Sequence, residues 1–133
     1  MGTVRQFEEL EVWRESKTFV KAIYLITGEG LFSRDFGLRD QLRRASVSIM
    51  SNIAEGFERG TNKEFTQFLH IAKGSAGEAR SLLHVASDVG YVNQKTFADL
   101  NASVVSISRR LSNFIKYLQR PSRTNPKPDN ART

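Results

Sequence analysis

Three sets of residues have types and spacings that invite a chemical reading: the histidines His70 and His84, the carboxylates Glu55 and Glu58, and a run of cations late in the chain. Metal binding needs ligands that converge. Fourteen residues separate the two histidines on one expected helix, so they face the same way but lie about 21 Å apart and cannot share an ion. No Glu-x-x-His pair exists, which argues against a di-iron site of the kind bundles carry. Cysteine is absent, so thiolate ligands and disulfides are excluded. Glu55 and Glu58, at i and i+3, approach each other near a helix end. They read either as an acid–base pair for hydrolysis or as solvated charges paired with Arg59 and Lys63. No phosphate-cradling glycine loop follows a strand, and no nucleophile–histidine pair is assignable. The expectation is therefore no catalytic residue, no metal, no cofactor and no small-molecule substrate.

The cations are more informative. The net charge is +6, and residues 1–99 hold 13 basic and 13 acidic side chains, so the whole excess lies in residues 100–133. There Arg109, Lys116 and Arg123 step by seven, flanked by Arg110 and Arg120. On a continuous helix they form one cationic stripe able to track phosphates without reading sequence. The competing reading is that cations late in a helix complement its dipole and keep the surface soluble. Arg43 and Arg44, beside Arg39, form a second basic cluster, which Asp40 and an acidic first helix are placed to neutralise.

Four helices must position these groups. The first runs from about Leu10 to Thr27, with Val12, Phe19, Ile23 and Ile26 in one apolar row and Trp13, Val20 and Tyr24 beside it. Glu11, Arg14, Thr18 and Lys21 make its polar row. Gly28-Glu29-Gly30 stops it, and Ser33 or Asp35 caps the next. The second covers about Gly37 to Phe57 and is apolar on two nearly opposite faces: Leu38, Leu42, Ala45 and Ile49 on one, Val47, Met50, Ala54 and Phe57 on the other. The second face needs its own partner, another helix or another subunit. Ser48, Asn52 and Glu55 sit beside these rows, either satisfied locally or as a functional cluster.

Gly56 or Gly60 takes the positive φ of the cap, and Thr61 to Glu64 reads as a capping box. The third helix, Asn62 to about Val89, repeats Phe65, Phe68, Ala72, Ser75, Ala79, Leu82, Ala86 and Val89 at three and four. Gly74 and Gly77 in its middle cost about 1 kcal/mol each against alanine, which calls for close approach by another backbone. Asn93 caps the fourth helix, Gln94 to about Gln119. The expected fold is all-α, an antiparallel up-down-up-down four-helix bundle over residues 1–120. A disordered basic tail is expected over 121–133. No apolar run is long enough to span a membrane, and a cytoplasmic location is expected.

An ordered set of short motifs then becomes recognisable: Leu10-Glu11-Val12-Trp13, Phe36-Gly37-Leu38, Gln41-Leu42-Arg43-Arg44-Ala45, Ser51-Asn52-Ile53-Ala54-Glu55-Gly56, Lys63-Glu64-Phe65, Phe68-Leu69 and Gly90-Tyr91. Over roughly residues 7–119 the chain resembles the four-helix-bundle family encoded in intervening sequences of bacterial 23S ribosomal RNA genes. That family is similar in fold to the accessory variability determinant of diversity-generating retroelements. One departure is Met50, where the pattern usually has proline. The resemblance implies a homopentamer and a nucleic-acid-binding role without catalysis. The expectation is an oligomeric accessory protein for structured RNA or an RNA–DNA intermediate. Arg109, Arg110, Lys116, Arg120, Arg123, Arg43 and Arg44 would contact phosphates, and Val47, Met50, Ala54, Phe57, Gly74 and Gly77 would line the subunit interface. The alternative is a scaffold for another protein, with no nucleic-acid role.

Overall fold

The structure, a computed structural model, describes residues 3–121. Residues 122–133 of the expected tail, Arg123 among them, lie outside the described residues. Four helices account for most of it: α1 (Glu11–Thr27), α2 (Phe36–Glu58), α3 (Asn62–Asp88) and α4 (Gln94–Gln119), with short 3-10 turns at Phe7–Glu9 and Gly30–Arg34. No strand occurs among the described residues. The helices form a closed ring in which α2–α3 is the most extensive contact and α1–α4 the least. Cross-helix bonds fix antiparallel registers. Ser48 meets Ser75 across α2–α3, while Glu11 and Glu15 meet Arg110 and Ser106 across α1–α4.

The helix ends follow local chemistry. Asp35 Oδ1 accepts from the Leu38 amide, Thr61 Oγ1 from Glu64 and Asn93 Oδ1 from Thr96, which satisfies amides that have no partner within the helix. Glu64 does not return a bond to the Thr61 amide, so this cap is half of the expected box. The left-handed turn after α2 falls at Gly60 (φ 94°). Gly56 lies inside α2, buried for a different reason. A methyl group there would sit 2.6 Å from Phe68 Cβ and 3.0 Å from Phe65 Cδ1, so only glycine lets α3 approach this closely. Helix α2 runs unbroken through Met50.

The core departs from the expected registers in three places. On α3 the buried seam is Phe65, Leu69, Ala72, Ala76, Ala79, Leu83 and Ala86. Phe68, Ser75 and Leu82 are half-buried and Val89 is exposed. Both sets are seven-residue repeats sharing one row, so periodicity alone does not separate them; the packing of α2 and α4 does. On α1 the buried line is Val12, Ser16, Phe19, Ile23 and Thr27. The hydroxyls of Ser16 and Thr27 bond back to the Val12 and Ile23 carbonyls at 2.7 and 2.6 Å, which makes polar residues tolerable there. Third, Phe57, expected on an outward face, is buried in the chain's own core, its ring edge-on to Phe65 at 5.9 Å. In the last turn of α2 Glu55 and Glu58 are exposed, while Gly56 and Phe57 turn inward against α3.

Candidate nucleic-acid interface

Seven residues turn a helix through 700°, within 20° of two full turns. Arg109 and Lys116 therefore share one face of α4, and Arg120, at its cap, continues the row. All three are exposed and make no ion pair among the described residues. Lys116 also stands in the last turn, where a cation complements the helix dipole. Arg110, a quarter-turn away, behaves differently. Its Nη1 donates to Glu11 Oε2 at 3.1 Å, and its Nε lies 3.1 Å from Glu15 Oε1, within ion-pair range though without hydrogen-bond geometry. Ser106 adds a 2.8 Å bond to the other Glu15 oxygen. Arg110 is thus held in the α1–α4 seam and not offered to solvent as an unpaired cation.

The second cluster divides in the same way. Arg43 reaches across to the end of α1, donating to Thr27 Oγ1 at 2.8 Å and to the Tyr24 carbonyl at 3.3 Å. Its guanidinium lies 4.4 Å from the Tyr24 ring centroid. Arg39 is tied to Asp40 at 2.8 Å and to the Ser33 carbonyl. The hydrogen bond from Arg39, with further help from Arg44 and Arg43, holds the Asp40 carboxyl below its ordinary range. Arg44 stays exposed on an open groove of about 540 Å³ shared with Tyr24, Val47, Ser48 and Ser51.

The residues expected at a subunit interface are not one patch. Val47, Met50 and Ala54 are half-buried on the outer side of α2, whereas Gly74 and Gly77 lie on α3, where an added methyl group meets nothing within 4 Å. Neither glycine has a packing reason among the described residues. The same helix exposes Ile71, Val85 and Val89 at 52%, 43% and 55%.

The structure also places the remaining candidates. Glu55 pairs with Arg59 at 3.2 Å on the surface. Asn52 Nδ2 donates to both the carbonyl and the hydroxyl of Ser48, at 2.8 and 2.9 Å, and Ser48 bonds Ser75 across the helix pair. His84 stands against Phe97, 5.0 Å between ring centroids, while His70 lines a shallow cleft with Asn62 and Gln119. No group of three metal-ligating side chains converges among the described residues, and none of the described helices is long and apolar enough to cross a membrane. Sequence reasoning placed Arg14 and Lys21 in the polar row of α1 but counted neither them nor Lys17 as phosphate contacts; all three are exposed. Their i, i+3, i+7 spacing was the available signal, masked by counting Glu11 and Glu15 against them.

At the far end, Tyr91 joins the two connectors. Its hydroxyl donates to Asp35 Oδ2 at 3.0 Å, and its ring lies 5.1 Å from Phe32. The bond to Asp35, with burial and the carboxylate charge behind it, raises the phenol above its ordinary 10.0.

Fold and surface together define an all-α four-helix bundle with a cationic flank. The chain belongs to the 23S rRNA-intervening sequence protein family, whose model matches residues 8–113. Among solved structures it is similar to a protein of unknown function from the S23 ribosomal protein family of Bacteroides thetaiotaomicron. That likeness has 24% sequence identity and a TM-score of 0.73, covers 79% of this chain and 98% of that one, and is a likeness of fold. No curated protein matches the chain.

Proposed function

We propose that this protein is a non-enzymatic, self-associating bundle that binds nucleic acid, with structured RNA or an RNA–DNA intermediate as its ligand. The observation that carries the reading is the row Arg109, Lys116, Arg120: three exposed cations on one face, with no ion pair among the described residues. Arg109 and Lys116 are about 10 Å apart along the helix. A row of that kind neutralises successive phosphates without reading bases.

Self-association draws on the outside of α3. There Gly74 and Gly77 leave room for a second backbone beside exposed Ile71 and Val85. The resemblance described above implies a pentamer, which would repeat each cationic row around an axis and strengthen its field. Glu55 and Glu58 act here as surface charges, Glu55 being paired with Arg59.

Size-exclusion chromatography with light scattering tests the proposal, run with and without structured RNA at low and high salt. The expected result is a pentamer that shifts with RNA only at low salt. A monomer indifferent to RNA overturns both parts. An oligomer indifferent to RNA at every salt concentration leaves the scaffold reading in its place.

A further inference from the structure

The charges of α1 are sorted by side. Its two carboxylates, Glu11 and Glu15, face α4, where Arg110 and Ser106 hold them. Its three cations, Arg14, Lys17 and Lys21, are exposed on the outward side and make no ion pair among the described residues. Counted as a sequence, α1 is nearly balanced. Counted as a surface, with Glu11 and Glu15 turned to Arg110 and Ser106 across the seam, the outward side of α1 is left with three cations. The seam register sets Arg110 beside Glu11, so Arg109 lies level with the first turns of α1.

A cleft of about 460 Å³, lined by Glu8, Trp13, Arg14, Lys17, Thr18 and Lys21, opens among these cations. Its aromatic wall is Trp13, whose ring meets Phe7 edge-on at 5.1 Å and 63°, which fixes its plane. Over the ring stands Lys17 Nζ, 5.5 Å from the centroid. A flexible ammonium is a replaceable cover. Arg14 Nε is anchored on the Glu8 carbonyl at 2.7 Å, while its Nη groups make no hydrogen bond among the described residues.

We infer that the outward side of α1 binds an unpaired nucleic-acid strand, one base stacking on Trp13 while Arg14, Lys17 and Lys21 take the adjoining phosphates. The inference rests on the nucleic-acid reading above and adds to it a second contact surface and a strand state. A base entering the cleft takes the place of Lys17 over the indole, and the displaced ammonium meets the phosphate of that nucleotide. Cations interleaved with an aromatic face are what single-strand sites use, because every base has a π-face. A duplex buries those faces and offers only phosphates. An acidic polypeptide matches the charge but has nothing to stack on the ring.

Trp13 is the single tryptophan of the chain, so its fluorescence reports on the cleft alone. The full-length protein is titrated at low salt with three probes: an oligouridylate single strand, a fully paired RNA duplex of equal charge, and poly-glutamate. Binding is followed separately by anisotropy of labelled probe. The expected result is that the single strand quenches Trp13 and the duplex binds without quenching. The Lys17→Glu/Lys21→Glu variant should weaken single-strand binding at least tenfold and lower its log–log salt slope by about 1.4 for two lost phosphate contacts. Arg109→Glu should weaken strand and duplex alike. If neither RNA probe binds, the nucleic-acid reading fails and this inference with it. If both bind while Trp13 fluorescence and the double variant's affinity stay unchanged, the inference alone is overturned. Equal quenching by poly-glutamate overturns it in favour of an acidic polypeptide site.

Discussion

The two long seams of the bundle are built from different chemistry. Across α2–α3 the helices close on glycine and aromatic rings, with Gly56 against Phe65 and Phe68, and a single serine pair as the polar contact. Across α1–α4 the contact is lighter and ionic at its edge: Arg110 with Glu11 and Glu15, and Ser106 with Glu15. The first seam has no slack and resists change through sterics. The second tolerates change in packing but sets how much positive charge reaches the surface. Packing stability and surface charge are therefore governed by opposite sides of the same ring.

Substitutions break or sharpen this contrast. Gly56→Ala has the largest expected effect, because the new methyl group meets α3 at 2.6 Å; a loss of about 1–3 kcal/mol is expected for overpacking, measured by urea denaturation. Gly77→Ala, in the adjoining helix but over open space, should do the reverse and raise the stability of the isolated chain by about 1 kcal/mol. If Gly77 instead costs stability on substitution in the assembled protein, subunits meet there. Arg110→Ala should cost less than about 1 kcal/mol, as half-exposed ion pairs do. Its larger consequence is to release two carboxylates beside the exposed cations, so RNA affinity should fall although Arg110 itself is held in the seam.

The last effect is confined to alkaline solution. Because folding raises the Tyr91 phenol above 10.0, the stabilisation is fully present below that pH and is lost as pH rises through the folded value. Tyr91→Phe should therefore flatten the alkaline limb of the stability profile, read from Tm against pH.

Helix identities were legible in the chain because each is announced locally: three-four spacing inside, and Asp35, Thr61 and Asn93 at the entrances. The exact seam of α3 was not. Two equally spaced rows share Phe65, Ala72, Ala79 and Ala86, and only the neighbours' positions choose between them. The fate of Phe57 likewise depended on where the connection to α3 folds back.

For the candidate interface, the α4 row was visible as a seven-residue step. The removal of Arg110 from it was not, since its partners lie 99 and 95 positions earlier. Pairing over such separations is a product of the fold, and it also turns the two carboxylates of α1 toward α4 while its three cations stay exposed. The role of Gly56 was hidden for the same reason: a glycine near a helix end reads as a cap until the opposing rings are in place.

The Tyr91–Asp35 bond spans 56 residues and joins the connector of the first helix pair to that of the second. Loop closure of that length is paid for late, after the local hairpins have formed. The bond belongs to the native state more than to the folding transition state. Weakening it should leave the folding rate nearly unchanged and speed unfolding, which makes this phenol a clasp on the lifetime of the finished bundle.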